Sequence, residues 1–156
     1  MNKIISYEEA CTIERVWDDL DIKSMQIYKD AAEKGNCKLI RSTTTVPNGI
    51  EIFVEIPDLG HDACGLYILP HKNDTWVYVA IEKYGEIRSW LQVECFSVED
   101  SLDSIIAKSL EQLNICPQCK KPVPFNEQHQ FSFAGRCCKD CLPKMKEKYE
   151  QPGWYN

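Results

Sequence analysis

Two cysteine pairs near the end of this chain constrain it more than any other feature. Cys116 and Cys119 stand in Cys116-Pro117-Gln118-Cys119, and eighteen residues later Cys138-Lys139-Asp140-Cys141 repeats the spacing. Two thiolates on one tight turn can aim at a single ion, and a second such pair completes a tetrahedron. The pattern predicts one zinc ion held by Cys116, Cys119, Cys138 and Cys141. Four reduced surface cysteines would be oxidation liabilities with no packing role. A thiol–disulfide enzyme needs one such pair, not two. Cys137 competes for a place, because Cys137 and Cys141 at four-residue spacing would share a helix face; Cys138 is preferred because it repeats the spacing of the first pair. Four thiolates leave no coordination position for water, so the expected metal is structural.

The nine cysteines would suggest disulfides in an exported chain. The opening residues lack the apolar core of a leader peptide. The longest strongly apolar run, Trp76 to Ile81, is too short to cross a bilayer. A soluble, cytoplasmic protein without membrane association is therefore expected, with Cys11, Cys37, Cys64 and Cys95 packed in the core as small apolar thiols.

The patterns upstream predict an α+β body. Ser6 with Glu9 makes a capping box ahead of Ile13, Val16, Trp17 and Leu20, so a helix is expected over about 7–34, broken or kinked at Asp18, Asp19 and Asp21, with Asp21 capping its second part. From Cys37 the period changes to two: Ile50, Ile52, Val54 and Ile56 alternate with Glu51, Phe53 and Glu55. Strands near 37–46, 50–57, 65–70, 75–82 and 86–96 form a five-stranded antiparallel meander, with one longer connection at 58–64. Ser97 with Asp100 predicts a second capping box and a covering helix whose stripe runs from Val98 to Leu113. The expected division is an acidic domain at 1–115 and a zinc module with C-terminal helix and tail at 116–156.

Within the module, 122–125 and 130–133 are expected to pair as a hairpin around Asn126-Glu127-Gln128, and Leu142 to Glu150 to form a helix. A knuckle, a hairpin and a second knuckle on the first turn of a helix make a treble clef. This stretch resembles the zinc finger of the DksA/TraR family, on Cys116, Cys119, Lys121-Pro122-Val123-Pro124 and Arg136 through Cys141. The likeness is confined to 116–141, because that family places a long helical hairpin before its finger where this chain has strands. It implies a metal-binding treble clef and does not carry over RNA polymerase as a partner.

Residues 1–115 hold 11 basic and 20 acidic side chains, whereas 116–156 hold 7 and 4. Four thiolates and one zinc ion would reduce the module to about +1, a weak footprint for nucleic acid. The favoured reading is a non-enzymatic protein that binds another protein, such as a regulator or inhibitor of nucleic-acid-processing machinery. Asp18, Asp19 and Asp21 are candidate contacts on the first helix, with Trp90 on a mixed aromatic and charged sheet face that includes Glu51, Phe53, Arg88, Gln92 and Glu94 and that is either covered by a helix or open to a partner. The first alternative is a transcription-type regulator contacting nucleic acid through a basic set that includes Arg136, Lys144, Lys146 and Lys148. The second is an enzyme with a purely structural zinc, for which no catalytic constellation is legible. His61-Asp62 beside Cys64 reads as a solvated loop, and His71 and His129 read as exposed, with His129 a minor ligand candidate.

Overall fold

The computed structural model describes residues 3–13, 21–42, 49–71, 73–83, 86–97, 99–131 and 135–149. The chain divides into two units, Met1–Ser109 and Leu110–Asn156. The first unit is built on a six-stranded sheet whose order follows the sequence: β1 (Lys3–Ile5), β2 (Cys37–Ser42), β3 (Gly49–Gly60), β4 (Ala63–Pro70), β5 (Asp74–Lys83) and β6 (Glu86–Ser97). Every neighbouring pair is antiparallel. The meander of the α+β expectation is present with one strand more. The added β1 is three residues long and sets Ile4 opposite Ile40. So short a run carries no readable period. Ile5 is buried while Ile4 stays exposed on the sheet edge.

The helical segment is interrupted rather than kinked. Ser6 caps α1 (Tyr7–Thr12) by accepting the Glu9 amide at 3.1 Å, as its capping box requires. The Thr12 hydroxyl then donates back to the Glu9 carbonyl at 2.7 Å. Ile13 follows in extended conformation, which ends the helix. Asp21 caps a 3-10 turn at Ile22–Ser24, and extended Met25 separates that turn from α2 (Gln26–Glu33). Tyr28 of α2 is fully buried and donates its hydroxyl to the Ile50 carbonyl at 2.7 Å, which ties the helix to the sheet. Val16, Trp17, Asp18, Asp19 and Leu20 lie outside the described residues, as does the tail from 150 onward.

Alternation along β3 left its second face either covered or open, and Ile50, Glu51, Ile52, Phe53 and Val54 are all buried. The face carrying Phe53 packs into a cluster with Ile40, Tyr67, Leu69 and Ala80, flanked by Trp76 and Tyr78. It is a second core layer and not an open aromatic surface. On β6 only the backbones of Arg88, Trp90, Gln92 and Glu94 are described. His71 is buried too, contrary to its exposed reading, with its ring 4.8 Å from that of Trp76. Of the scattered cysteines, Cys95 is exposed and Cys11, Cys37 and Cys64 are half-buried, so none is fully in the core.

The connection expected at 58–64 shrinks to His61-Asp62. Both residues have positive φ (54° and 63°), which suits the tight turn that matches strand twist. Cys64, just beyond it, donates its thiol to the Ala80 carbonyl at 3.4 Å. Farther on, β3 and β4 approach so closely at Gly65 that a Cβ there would lie 1.9 Å from the Val54 carbonyl oxygen.

The second capping box also forms, but it closes a turn ahead of the helix. Asp100 accepts the Ser97 amide, and Ser97 accepts the amide of Glu99. Ser101 then caps the helix itself by accepting the Ser104 amide, and α3 runs over Leu102–Leu113. The helix thus starts later than its apolar stripe suggested. Leu102, Ile105 and Leu113 are the buried apolar positions along it.

Two expectations follow for the sheet unit. Gly65→Ala forces backbone apart and should destabilise it by ~3 kcal/mol or more, measured by denaturant unfolding. Glu51, 1% exposed, accepts the Tyr67 hydroxyl at 2.7 Å, and burial lifts its carboxyl from 4.5 to about 7 against the pull of that bond. Its folded value lies above its unfolded value, so the folded state keeps a proton that the unfolded chain gives up between pH 4.5 and 7. Stability is therefore lost as pH rises through that window, by about 3 kcal/mol at one pKa unit per 1.36 kcal/mol. Glu51→Gln removes this dependence. Its unfolding free energy should fall less than the parent's between pH 5 and pH 8, and equal slopes would refute the assignment.

Candidate metal centre

The second unit begins in the last turn of α3 and is organised by what satisfies that helix end. A helix leaves its final carbonyls without partners. Here the Asn114 and Ile115 amides reach the Leu110 and Gln112 carbonyls, and side chains from the following loop and strands add to them. Asn114 donates to the Leu110 carbonyl at 2.9 Å, and Arg136 Nη2 to Gln112 at 2.8 Å. Gln128, only 2% exposed, donates its side-chain amide to the carbonyls of Leu113 (2.7 Å) and Val123 (2.8 Å). Asn114 also accepts the Phe125 amide at 3.0 Å, which anchors the buried Phe125 ring below the Arg136 guanidinium, 5.9 Å away.

The hairpin differs from the expected one. Pro122 bridges back to Ile115, and Phe125–Glu127 is a 3-10 turn. The pairing strands are β7 (His129–Phe131) and β8 (Gly135–Cys137). The reason is local: Pro122 and Pro124 lack amides for a ladder, whereas His129 onward alternates freely. β8 delivers the second cysteine pair, and α4 (Leu142–Tyr149) opens directly after Cys141. A knuckle, a hairpin and a helix in this order give the treble-clef-like arrangement.

The first pair sits on a tight turn. The Lys120 amide returns to the Cys116 carbonyl at 2.8 Å, and Lys120 takes a positive φ of 65° to close it. In the second pair the Cys141 amide reaches the Cys138 carbonyl at 3.2 Å. The sulfurs of Cys116, Cys119, Cys138 and Cys141 all lie within 4.8 Å of one another, so the four together can hold a metal ion. Cys119 and Cys138 are 3.6 Å apart, Cys116 and Cys141 4.0 Å. Tetrahedral bonds of about 2.3 Å to zinc require sulfur separations of about 3.8 Å. The donor set fits that ion.

Electrostatics argue the same way. Burial pushes the Cys116 thiol up, but the amides of Cys119, Cys138 and Gln118 aimed at its sulfur outweigh burial and bring it down to about 6. Cys141 is pushed up to about 12 by burial and by its contacts with the sulfurs of Cys138, Cys119 and Cys116. One thiolate forms readily here and resists the next. A cation at the centre would offset the contacts that oppose ionisation of Cys141.

Cys137 is fully buried but lies outside the four-sulfur group. It faces His129 across the hairpin and packs with Cys116, Cys138 and Met145. Burial and the neighbouring Cys116, Cys138 and Cys119 raise its pKa, which keeps it a packed thiol. His129 is exposed and outside the group as well.

The remaining candidate residues do not converge on this centre. Asp18 and Asp19 lie outside the described residues, and Asp21 is an exposed cap of its 3-10 turn. Trp90 contributes described backbone to β6. Lys144, Lys146 and Lys148 are exposed on α4. At 100° per residue, Lys144 and Lys148 share one side of that helix and Lys146 lies well away from them. Sequence reasoning missed Gln128 as a buried double donor and treated Arg136 as a surface cation. No pattern marks the first. Its position beside the cysteine pair was the only signal for the second.

No family model matches the chain, and no curated protein or solved structure matches it. The functional argument rests on the geometry itself.

The two adjacent cysteines separate in a metal titration. Cys138→Ser should lose tight binding, whereas Cys137→Ala should keep the same number of sites with a stability loss of about 1 kcal/mol from the vacated core volume. The opposite pattern would exchange their roles.

Proposed function

We propose that this chain is a non-enzymatic zinc protein that acts by binding another protein, with the metal as a structural clamp in its C-terminal unit. The closed four-sulfur geometry carries the reading. Four thiolate ligands fill a tetrahedron, so the ion has no position at which to bind and activate water. Its contribution is folding free energy, roughly 10–16 kcal/mol in small sites of this kind. In this reading the sheet unit, with its own double-layered core, keeps its fold without the metal.

The partner follows from charge. Residues 1–115 carry an acidic excess, which suits the basic surfaces found on nucleic-acid-processing proteins and repels nucleic acid itself. A protein regulated through such a surface is the favoured partner, in a cytoplasmic setting. The exposed lysines of α4 favour the second reading, a regulator that contacts nucleic acid through the metal unit. Their distribution around the helix weakens it, because no single stripe faces a phosphate backbone.

Metal-replete protein should contain close to one equivalent of zinc by elemental analysis. Chelation should then abolish hydrogen-exchange protection from Leu110 onward while leaving the sheet amides protected. Loss of protection throughout would mean one cooperative core. Titration with duplex and single-stranded nucleic acid at two salt concentrations tests the partner. The protein reading expects no binding at low salt. Tight binding that weakens when Lys144, Lys146 and Lys148 are neutralised would replace it with the second reading.

A further inference from the structure

The four sulfurs of the metal centre differ in what can reach them. Cys116 is fully buried and Cys138 is 3% exposed, whereas Cys119 and Cys141 are half-buried. They stand in crossed pairs, each setting one accessible cysteine against a buried one from the other knuckle. Cys119 lies 3.6 Å from Cys138, and Cys141 lies 4.0 Å from Cys116. A disulfide holds its sulfurs about 2.05 Å apart, so the nearer pair would have to close by about 1.5 Å.

Metal ligation keeps such sulfurs as thiolates at neutral pH, and an accessible thiolate is the form that peroxides oxidise. The buried sulfurs are unequal in the step that would follow. The Cys138 amide donates to the Cys116 sulfur at 3.2 Å, which draws on the lone pairs that Cys116 would use for attack. Cys138 is therefore the better placed of the two to attack an oxidised neighbour, and that neighbour is Cys119. The adjacent Cys137 does not compete, because it is fully buried and lies outside the four-sulfur group.

We propose that Cys119 is a site of reversible oxidation by hydrogen peroxide, that Cys138 resolves it, and that the resulting disulfide between the two knuckles releases the metal. This rests on the reading that the four cysteines hold zinc. The Cys119 thiolate attacks one peroxide oxygen and the O–O bond breaks, giving a sulfenic acid and hydroxide. The Cys138 thiolate then attacks the Cys119 sulfur; the S–S bond forms, the S–O bond breaks and a second hydroxide leaves. Solvent protonates both hydroxides to water. Each thiolate has given one electron, and the peroxide has taken both. Cys116 and Cys141 are the ligands that remain, and two sulfurs make no closed tetrahedron. The element that loses its anchor is α4, which opens directly after Cys141 and packs Met145 against Cys116, Cys137 and Cys138. A thiol reductant reverses the step.

The test is graded hydrogen peroxide on the zinc-loaded full chain, with a chromogenic chelator to read freed metal and mass spectrometry of non-reduced peptides to map the crosslink. Dimedone in a parallel exposure traps sulfenic acid. The expected result is about one equivalent of zinc released per disulfide formed. The main crosslink should join Cys119 to Cys138, the dimedone adduct should sit on Cys119, and reductant with added zinc should restore binding. Cys137→Ala should behave as the parent does. Zinc retained at exposures that already oxidise the exposed Cys95, or a main crosslink between any other two ligands, would overturn the proposal. A parent chain that binds no zinc would instead sink the reading beneath it, so the two failures are distinguishable.

Discussion

The convergence of four sulfurs is the constraint on which the second unit depends. A segment as short as 110–156 buries too little apolar surface to offset its chain entropy unaided. Among its described residues the buried ones are the ligands Cys116 and Cys138 with Leu113, Phe125, Gln128, Cys137 and Met145 around them. The sulfurs are unequal: the Cys116 thiolate is eased by three amides, and Cys141 is held back by burial and by its sulfur neighbours. Without a cation the centre is a cluster of mutually opposed acids, and with one it is the strongest interaction in the unit.

That centre reaches beyond its ligands through helix termination. Beside the backbone bonds from Asn114 and Ile115, the side chains of Asn114, Gln128 and Arg136 each take a carbonyl in the last turn of α3. Gln128 and Arg136 flank or belong to the hairpin that delivers Cys138. The geometry that gathers the sulfurs and the geometry that closes α3 are therefore the same arrangement of backbone.

What the sequence disclosed follows from the range of each signal. The ligand set was legible because paired spacing is a local property, and Ser6, Asp21 and the β3 alternation were legible for the same reason. The added strand β1 was not, since Ile4 pairs with Ile40 across the whole helical segment. Alternation alone left the face of Glu51 open to two readings, covered or wet, because a charged residue at every second position suits either. Here Tyr67 and the cluster around Phe53 cover it. The hairpin was misplaced by treating two prolines as strand residues, a conflict with their missing amides that was visible in the residues themselves. His71 had no such warning, since its burial comes from contact with Trp76 on the next strand.

Glu51 and Arg136 show how the depth at which an ionisable group sits follows from whether it can lose its charge. Each lies in its own unit, each has a single strong hydrogen-bond partner, and each retains a buried atom without one. A carboxyl can shed its charge by holding a proton, and burial drives Glu51 to do so up to about 7. A guanidinium has no neutral form within reach of physiological pH. Arg136 therefore remains a cation, and its side chain stays half-buried, with Nη2 on the Gln112 carbonyl and its plane over Phe125. Full burial thus falls to the group that can neutralise itself, and partial burial to the one that cannot.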